Sequence, residues 1–188
     1  MKKSVKKNFF LFRRSGKKAQ IWIETVIYTL IAFTLIGLVL AFAKPKIEEI
    51  RDKSIIEQSI KVLENIDLII RTMGGPGNQR AINLVISKGT LNIDGSNDTI
   101  FFKIESTYRY SEPGRNINLG NIIVHTTQIG KINEVTLTRS YKDEYNLTFQ
   151  NMHQIGQIPK ASTPYKILIT NNGTFDSSGK PIINIGVT

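Results

Sequence analysis

A single carboxylate, Glu24, lies inside the long apolar run at residues 20–43, which contains no other charged residue. A carboxylate surrounded by apolar groups is unfavourable unless a cation or several hydrogen-bond donors accompany it. Near the border of such a run the side chain can still reach water, so its position is tolerable there. We therefore expect Glu24 either to extend toward a membrane interface or to pair with a positive group when its helix is packed.

Three asparagines begin Asn-x-Thr sequons, at Asn97, Asn146 and Asn172. The sequence predicts turns around Asn97 and Asn172, and the start of a strand at Asn146. If this part of the chain lies outside the cell, the three are candidate glycosylation sites. The alternative is that they are turn-forming asparagines with no further role.

Residues suited to catalysis are few. The histidines, His125 and His153, have no acidic neighbour in a motif, and the sequence has no phosphate loop, nucleophile elbow or paired-histidine zinc motif. The "GGPG" stretch at 74–77 follows no predicted strand, so it is a helix stop and not a dinucleotide fingerprint. With no cysteine there can be no disulfide or thiolate metal site. We expect no enzymatic activity, no cofactor and no metal site.

The positive charge is concentrated at the N-terminus. The 188-residue chain carries a formal net charge of +10, and residues 1–19 contain eight basic residues and no acid. Removing these eight from the 25 Lys/Arg leaves 17 against 15 Asp/Glu, a net charge of +2. A nucleic-acid surface needs its cations on the folded domain, so we expect no nucleic-acid partner. A basic stretch before an apolar helix instead indicates a cytoplasmic end.

The apolar run at 20–43 is long enough to cross a membrane, since 24 residues of helix span about 36 Å and a hydrocarbon core is about 30 Å thick. Three interpretations remain open. Ala41 and Ala43 could form the cleavage site of a secretory signal, although the run is long and contains an acid. A plain single-span anchor is the second. The third is a segment that first lies in the membrane and later packs against copies of itself.

A second helical segment, amphipathic and covering residues 44–73, continues the first, with a bend expected near Pro45. Four polar residues, Glu57, Lys61, Glu64 and Asp67, are expected off its apolar stripe. The "GGPG" stop should end the helix. The stripe should pack on the domain that follows, and it consists of Ile56, Ile60, Leu63, Ile66, Ile70 and Met73.

After residue 77 the hydrophobic period changes from 3.6 to 2, which predicts strands. Eight runs fit: INLVIS, TLNID, TIFFKIES, NIIVHTT, NEVTLTRS, YNLTFQ, YKILIT and IINIGV. In TIFFKIES, Ile100, Phe102 and Ile104 should face one way and Lys103 and Glu105 the other. Turns are expected at the joints, including TNNGT at 170–174. The predicted fold class is α+β: a long N-terminal helix packed on a mostly antiparallel sheet or small sandwich at 78–188.

The motif KKAQIWIET, residues 17–25, stands where the basic leader meets the apolar run. With this motif and these elements in order, the chain resembles a type IV pilin precursor of the archaeal pilin or archaellin-like kind, with a class III signal peptide. The resemblance implies that a prepilin peptidase cuts between Ala19 and Gln20, after Lys17 and Lys18, and removes a leader at 1–19. Ala19 stands where glycine is commonest in the family, and a cut after Gly16 is the alternative. Trp22 departs from the Ser often found at that place.

The resemblance also gives Glu24 a role. After cleavage, Gln20 would carry a free α-amine and Glu24 would be the fifth mature residue, the position where such pilins carry an acid. The amine of Gln20, on the same or a neighbouring subunit, could then neutralise Glu24 when helices pack. Such a pair would form at one axial offset and would fix the register between helices.

The expected function is that of a major or minor structural subunit of a type IV pilus-like surface filament. The alternative is a membrane-anchored surface binding or adhesion module that never polymerises. The expected partners are a prepilin peptidase, identical or related pilin subunits, and the membrane before assembly. The precursor is expected in the cytoplasmic membrane with its N-terminus inside and its β-rich domain outside, and the mature form in an extracellular filament.

Overall fold

The computed structural model describes the backbone of residues 16–188 and the side chains of residues 21–188. The chain divides into two units, Met1–Lys46 and Ile47–Thr188. The boundary falls close to the predicted change from an all-round apolar helix to an amphipathic one at 43/44. The unit Ile47–Thr188 is called the helix–sheet unit below, because it contains the amphipathic half of the helix and all the described strands.

One helix, α1 (Gly16–Arg71), accounts for the N-terminal part of the described chain. It includes Pro45, whose ring nitrogen cannot donate the backbone hydrogen bond of a helix interior. The bend expected there falls at the boundary of the two units and stays a prediction. The helix ends three residues before Gly74, so "GGPG" acts as the predicted stop.

Ten strands follow in the described chain, where eight runs were predicted. They are β1 (Gln79–Leu84), β2 (Thr90–Asp94), β3 (Thr99–Ser106), β4 (Asn116–Leu119), β5 (Ile122–Ile129), β6 (Ile132–Ser140), β7 (Asn146–Phe149), β8 (Ile155–Pro159), β9 (Tyr165–Phe175) and β10 (Pro181–Val187). All eight predicted runs overlap strands, and β4 and β8 are additional. Strand β8 contains Gly156 because a Cβ there would lie 2.3 Å from the ring of Phe149. In the sequence, this glycine and the terminal Pro159 weaken the alternation of apolar and polar residues that would have predicted a strand.

The strands form two sheets. One has the order β1-β9-β10-β7 and the other the order β4-β5-β6-β3-β2-β8. Every pairing is antiparallel except that of β7 with β10, which is parallel. The predicted α+β fold, with a long helix and a mostly antiparallel β domain, is confirmed.

A hydrophobic core of the described residues contains side chains from α1 and from both sheets. The predicted stripe supplies it: Ile56, Ile60, Leu63, Ile66 and Ile70 are buried, and Met73 is half-buried against them. The alternation of β3 is as predicted, with Ile100, Phe102 and Ile104 buried and Lys103 and Glu105 exposed. Burying one such isoleucine or leucine contributes about 1.5–3 kcal/mol, so this stripe holds the helix to the sheets.

Candidate membrane and assembly segment

The apolar half of α1 exposes all its described side chains from residue 21 to residue 42. Its most hydrophobic 18-residue window has a mean hydropathy of 2.5 and no buried residue, which makes it long and apolar enough to span a membrane. Trp22 is 70% exposed and Phe42 74%. Soluble surfaces rarely present so large a continuous apolar area. This segment is therefore suited to be covered by lipid tails or by other apolar helices.

Polar side chains in this segment are largely satisfied by their own helix. The hydroxyls of Thr25, Thr29 and Thr34 each donate to the carbonyl four residues earlier, at 2.9, 2.7 and 2.7 Å. These internal bonds leave the hydroxyl protons paired in a medium without water. The carboxylate of Glu24 cannot donate to a carbonyl in this way when ionised. In apolar surroundings an ionised carboxylate is stable only with a cation, hydrogen-bond donors or an aqueous edge.

The predicted cleavage residues lie at the start of the helix. Lys17, Lys18, Ala19 and Gln20 belong to α1, but their side chains, like residues 1–15 of the leader, lie outside the described residues. Gln20 and Glu24 are four residues apart and thus one helical turn from each other. Cleavage after Ala19 or Gly16 and pairing of Glu24 with the Gln20 amine stay predictions.

Two buried aspartates on α1 fasten the amphipathic half of the helix to the larger sheet. The first is Asp52, which accepts hydrogen bonds from Lys88 Nζ at 2.5 Å and from the Thr107 backbone amide at 2.7 Å. The Thr107 hydroxyl donates to the same carboxylate at 3.0 Å. Burial acts to raise the pKa of Asp52, but these donors and the Lys88 charge hold it below its ordinary value. The ionised carboxylate is therefore the stable form in the folded unit.

The second, Asp67, corrects the expectation that it lies off the buried stripe. Arg139 Nε donates to its Oδ1 at 2.7 Å, and Asn121 donates to its Oδ2 at 3.2 Å. Arg139 also bonds Glu144 at 2.8 Å, and its guanidinium lies 4.4 Å from the ring centroid of Tyr141. Burial acts to raise the pKa of Asp67, but the Arg139 and Asn121 bonds lower it overall. An aspartate can be buried on this face because β6 presents an arginine to it.

The three sequons occupy different environments. Asn97 is exposed in the β2–β3 turn, where its amide donates to Asp94 at 2.8 Å. Asn146 is half-buried at the start of β7, its amide nitrogen bonds Asp176 at 3.3 Å, and its amide oxygen is buried without a partner. In the same sequon Thr148 is buried and donates to Asn184 at 3.1 Å. Asn97 is thus open to modification in the folded chain, whereas Asn146 is enclosed.

The turn predicted at TNNGT is wrong, because β9 continues to Phe175. Asn172 is exposed within this strand, where the register against β10 shifts as in a β-bulge. Gly173 has a φ of 74°, and a Cβ there would lie 2.5 Å from Cβ of Pro76. A glycine is thus required where the bulge meets the "GGPG" loop. The local distortion that favoured a turn in the sequence is a bulge in the structure.

The histidines hold local contacts in separate places. His125 Nδ1 lies 2.7 Å from the amide oxygen of Asn116, and His153 Nδ1 lies 3.2 Å from the carbonyl of Gly95. Within residues 16–188 no group of three or more His, Asp or Glu side chains is placed to hold a metal ion. Two open clefts of about 450 and 340 Å³ flank Lys88 and Lys160, and each is lined by both basic and acidic side chains.

The architecture is pilin-like: one long apolar N-terminal helix whose continuation packs on a β-sheet. Comparisons with protein-family models, with curated proteins and with solved structures gave no match. The likeness therefore lies in the arrangement of the elements and in the short motif around Glu24.

The sequence missed the anchoring pairs Asp52–Lys88 and Asp67–Arg139. The partners are 36 and 72 residues apart, and no local spacing links them. A weak signal existed at Asp67, which adjoins Ile66 of the apolar stripe. A second signal existed at Arg139, because the alternation of β6 places it on the same buried face as Val135 and Leu137.

Proposed function

We propose that this chain is a structural subunit, a major or minor pilin, of a type IV pilus-like surface filament. A prepilin peptidase removes the basic leader after Ala19, and residues 20–43 then form the filament core. The observation that carries the proposal is the fully exposed apolar helix with one carboxylate near its start, directly after a basic leader.

The exposed apolar surface of the helix is covered first by lipid and later by other helices. Before assembly, lipid tails cover its aliphatic surface, and Glu24 lies close enough to the cytoplasmic border to reach the interface. The precursor then has its basic N-terminus inside and its β domain outside. On assembly, apolar helices of other subunits replace the lipid. The side chains that would pack between helices are mostly branched aliphatics with few rotamers, which favours a defined interface.

The carboxylate gives assembly its selectivity. In a bundle without water an unpaired Glu24 is unfavourable by several kcal/mol, so a subunit adds stably only where a cation meets it. Cleavage supplies that cation as the new α-amine of Gln20. An uncut chain lacks this amine at the helix start and retains eight basic side chains on its leader, so it is a poor building block.

A chain that serves only as an anchored surface module needs none of this chemistry. Such a tether would keep its membrane segment and β domain, but it would have no use for a new amine beside Glu24. The two functions therefore differ in whether the leader is removed and whether Glu24 matters.

The experiment compares Glu24→Gln with the control Thr29→Ala in cells that assemble the filament. Glu24→Gln keeps the shape but removes the charge, so the Gln20 amine would be left in the bundle without its counter-ion. We expect leader removal to persist while filament yield falls at least tenfold, which corresponds to about 1.4 kcal/mol at the interface. The Thr29 hydroxyl bonds within its own helix, so Thr29→Ala should assemble normally. Normal filaments from Glu24→Gln would contradict the proposal.

A further inference from the structure

The tip of the β5–β6 hairpin exposes two isoleucines that neither the core nor the filament helix explains. Ile129 is 53% exposed and Ile132 37%, and the two are paired directly across the hairpin. Between them lie Gly130, with a φ of 63°, and the exposed Lys131. Two branched aliphatic side chains around a lysine make an amphipathic tip, which is the composition of side chains found at membrane interfaces.

This tip lies at one particular end of the helix–sheet unit. Thr107, which follows β3, bonds to Asp52 near the start of the unit's helical part. The last residue of β3, Ser106, pairs with Asn133 of β6, and Ile132 precedes Asn133. The hairpin tip is therefore at the same end of the unit as Asp52, called the Asp52 end below. The opposite end is marked by Asp67, whose partner Arg139 lies near the far end of β6.

Aromatic and basic side chains accompany the isoleucines at the Asp52 end. Tyr108 and Tyr110 follow β3 as an edge-to-face pair with ring centroids 6.2 Å apart, and both are half-buried against the core with part of each ring left exposed. Lys53 of the helix lies 5.8 Å from the Tyr108 ring centroid, and Arg109 between the tyrosines is exposed. Tyrosine with lysine and arginine is the typical composition of the belts that meet lipid headgroups.

Glu48 and Glu105 are exposed acids at this end, and two other acids there have partners. Glu134 pairs with Lys103 at 4.0 Å, and Glu112 with Arg115 at 3.3 Å. Neither Lys131 nor Arg109 forms an ion pair within the described part of the chain. These two cations are therefore available to anionic groups outside the protein.

The Asp52 end is the end at which the chain enters the helix–sheet unit. The unit begins at Ile47, only four residues after Ala43. Ile47 and Ile50 are themselves 63% and 64% exposed. The surface at this end thus combines apolar, aromatic and basic groups with the exposed acid Glu48.

We propose that the β5–β6 tip and the Tyr108–Tyr110 pair contact the phospholipid headgroups of the outer leaflet while the chain is anchored. This inference rests on the membrane anchoring in the proposed function. Ile129 and Ile132 enter the interfacial layer, and Lys131 and Arg109 face lipid phosphates. The contact fixes the orientation of the helix–sheet unit on the membrane until assembly withdraws it.

Site-directed labelling of the full chain tests the contact, because the protein has no cysteine and one tryptophan. Lys131→Cys and the control Lys142→Cys, an exposed lysine at the Asp67 end, each receive a bimane probe in proteoliposomes containing anionic phospholipid. Bromine near the headgroups of the lipid quenches nearby fluorophores. Trp22, within the apolar segment, reports anchoring independently.

We expect both Trp22 and the probe at 131 to lose emission in brominated vesicles relative to unbrominated ones, while the probe at 142 is unaffected. Ile129→Ser with Ile132→Ser should remove the quenching at 131, and Ile155→Ser, another exposed isoleucine at the Asp67 end, should not. If Trp22 is quenched and the probe at 131 is not, the inference is overturned and anchoring stands. Unquenched Trp22 contradicts anchoring and removes this inference with it.

Discussion

Replacing Arg139 by methionine tests the buried network that joins the helix to the larger sheet. The Arg139 side chain is 7% exposed and makes bonds of 2.7 Å to Asp67 and 2.8 Å to Glu144. Removing one partner of a buried ion pair destabilises a fold by about 3–5 kcal/mol, because the other charge is left uncompensated. Arg71 and Asn121 still contact Asp67, so we expect the lower end, about 3 kcal/mol. At about 2–4 °C per kcal/mol for a unit of this size, the melting temperature should fall by about 6–12 °C.

The assay is thermal unfolding of the full-length protein in detergent, followed by near-ultraviolet circular dichroism of the tyrosines. Arg71→Met is the matched control, because Arg71 contacts the same two acids but its side chain is 42% exposed, and such pairs contribute less than about 1 kcal/mol. In the Asp67→Asn, Arg139→Met double variant no buried charge is left alone, so its loss should be smaller than the sum of the single losses. Equal effects of the two arginine variants, or strict additivity in the double variant, would refute the reasoning.

Three further predictions concern the core, acid stability and modification. Leu63→Ala should lower the free energy of unfolding by about 2–5 kcal/mol, because Leu63 is 1% exposed. Leu68→Ala should lower it by less than about 0.5 kcal/mol in the same assay, because Leu68 is 59% exposed; equal losses would contradict the packing of the stripe. The pKa values of Asp52 and Asp67 are lowered in the folded unit, so the two carboxylates stabilise the fold above about pH 4, and this stabilisation is lost as pH falls through their folded pKa values. The loss of stability on acidification should therefore be smaller in the Asp52→Asn, Asp67→Asn double variant; an unchanged pH profile in that variant would rule this out. Mass spectrometry of glycopeptides from the native host should find glycan at Asn97 or Asn172 before Asn146, whose amide is enclosed; sole occupancy of Asn146 would show that modification precedes folding.

The elements of this fold were largely readable from the sequence because their signals are local. The 3.6-residue stripe ending at "GGPG" predicted the helix, and the alternation in runs such as TIFFKIES predicted the strands. Strand β8 escaped because Gly156 leaves room for the Phe149 ring and thereby weakens the apolar pattern. The segment around Asn172 was misassigned because Asn-Gly serves a bulge as well as a turn.

The candidate site was predictable only in part. Length and hydropathy identified the apolar segment, and the position of Glu24 near its border was visible at once. The burial of Asp67 was not, because the cost of a buried carboxylate is offset by Arg139, 72 residues away. The amphipathic hairpin tip also escaped, because Ile129 and Ile132 lie outside the predicted runs NIIVHTT and NEVTLTRS and out of phase with the buried residues of β5 and β6.

The central claim is that proteolysis converts a membrane-anchored chain into a filament subunit, and the mass of the native protein tests it most directly. Intact-mass and N-terminal peptide analysis of material from its own cells should give a chain beginning at Gln20, without the eight basic residues of the leader. A native protein that still begins at Met1 would contradict the account and identify the chain as an anchored surface module.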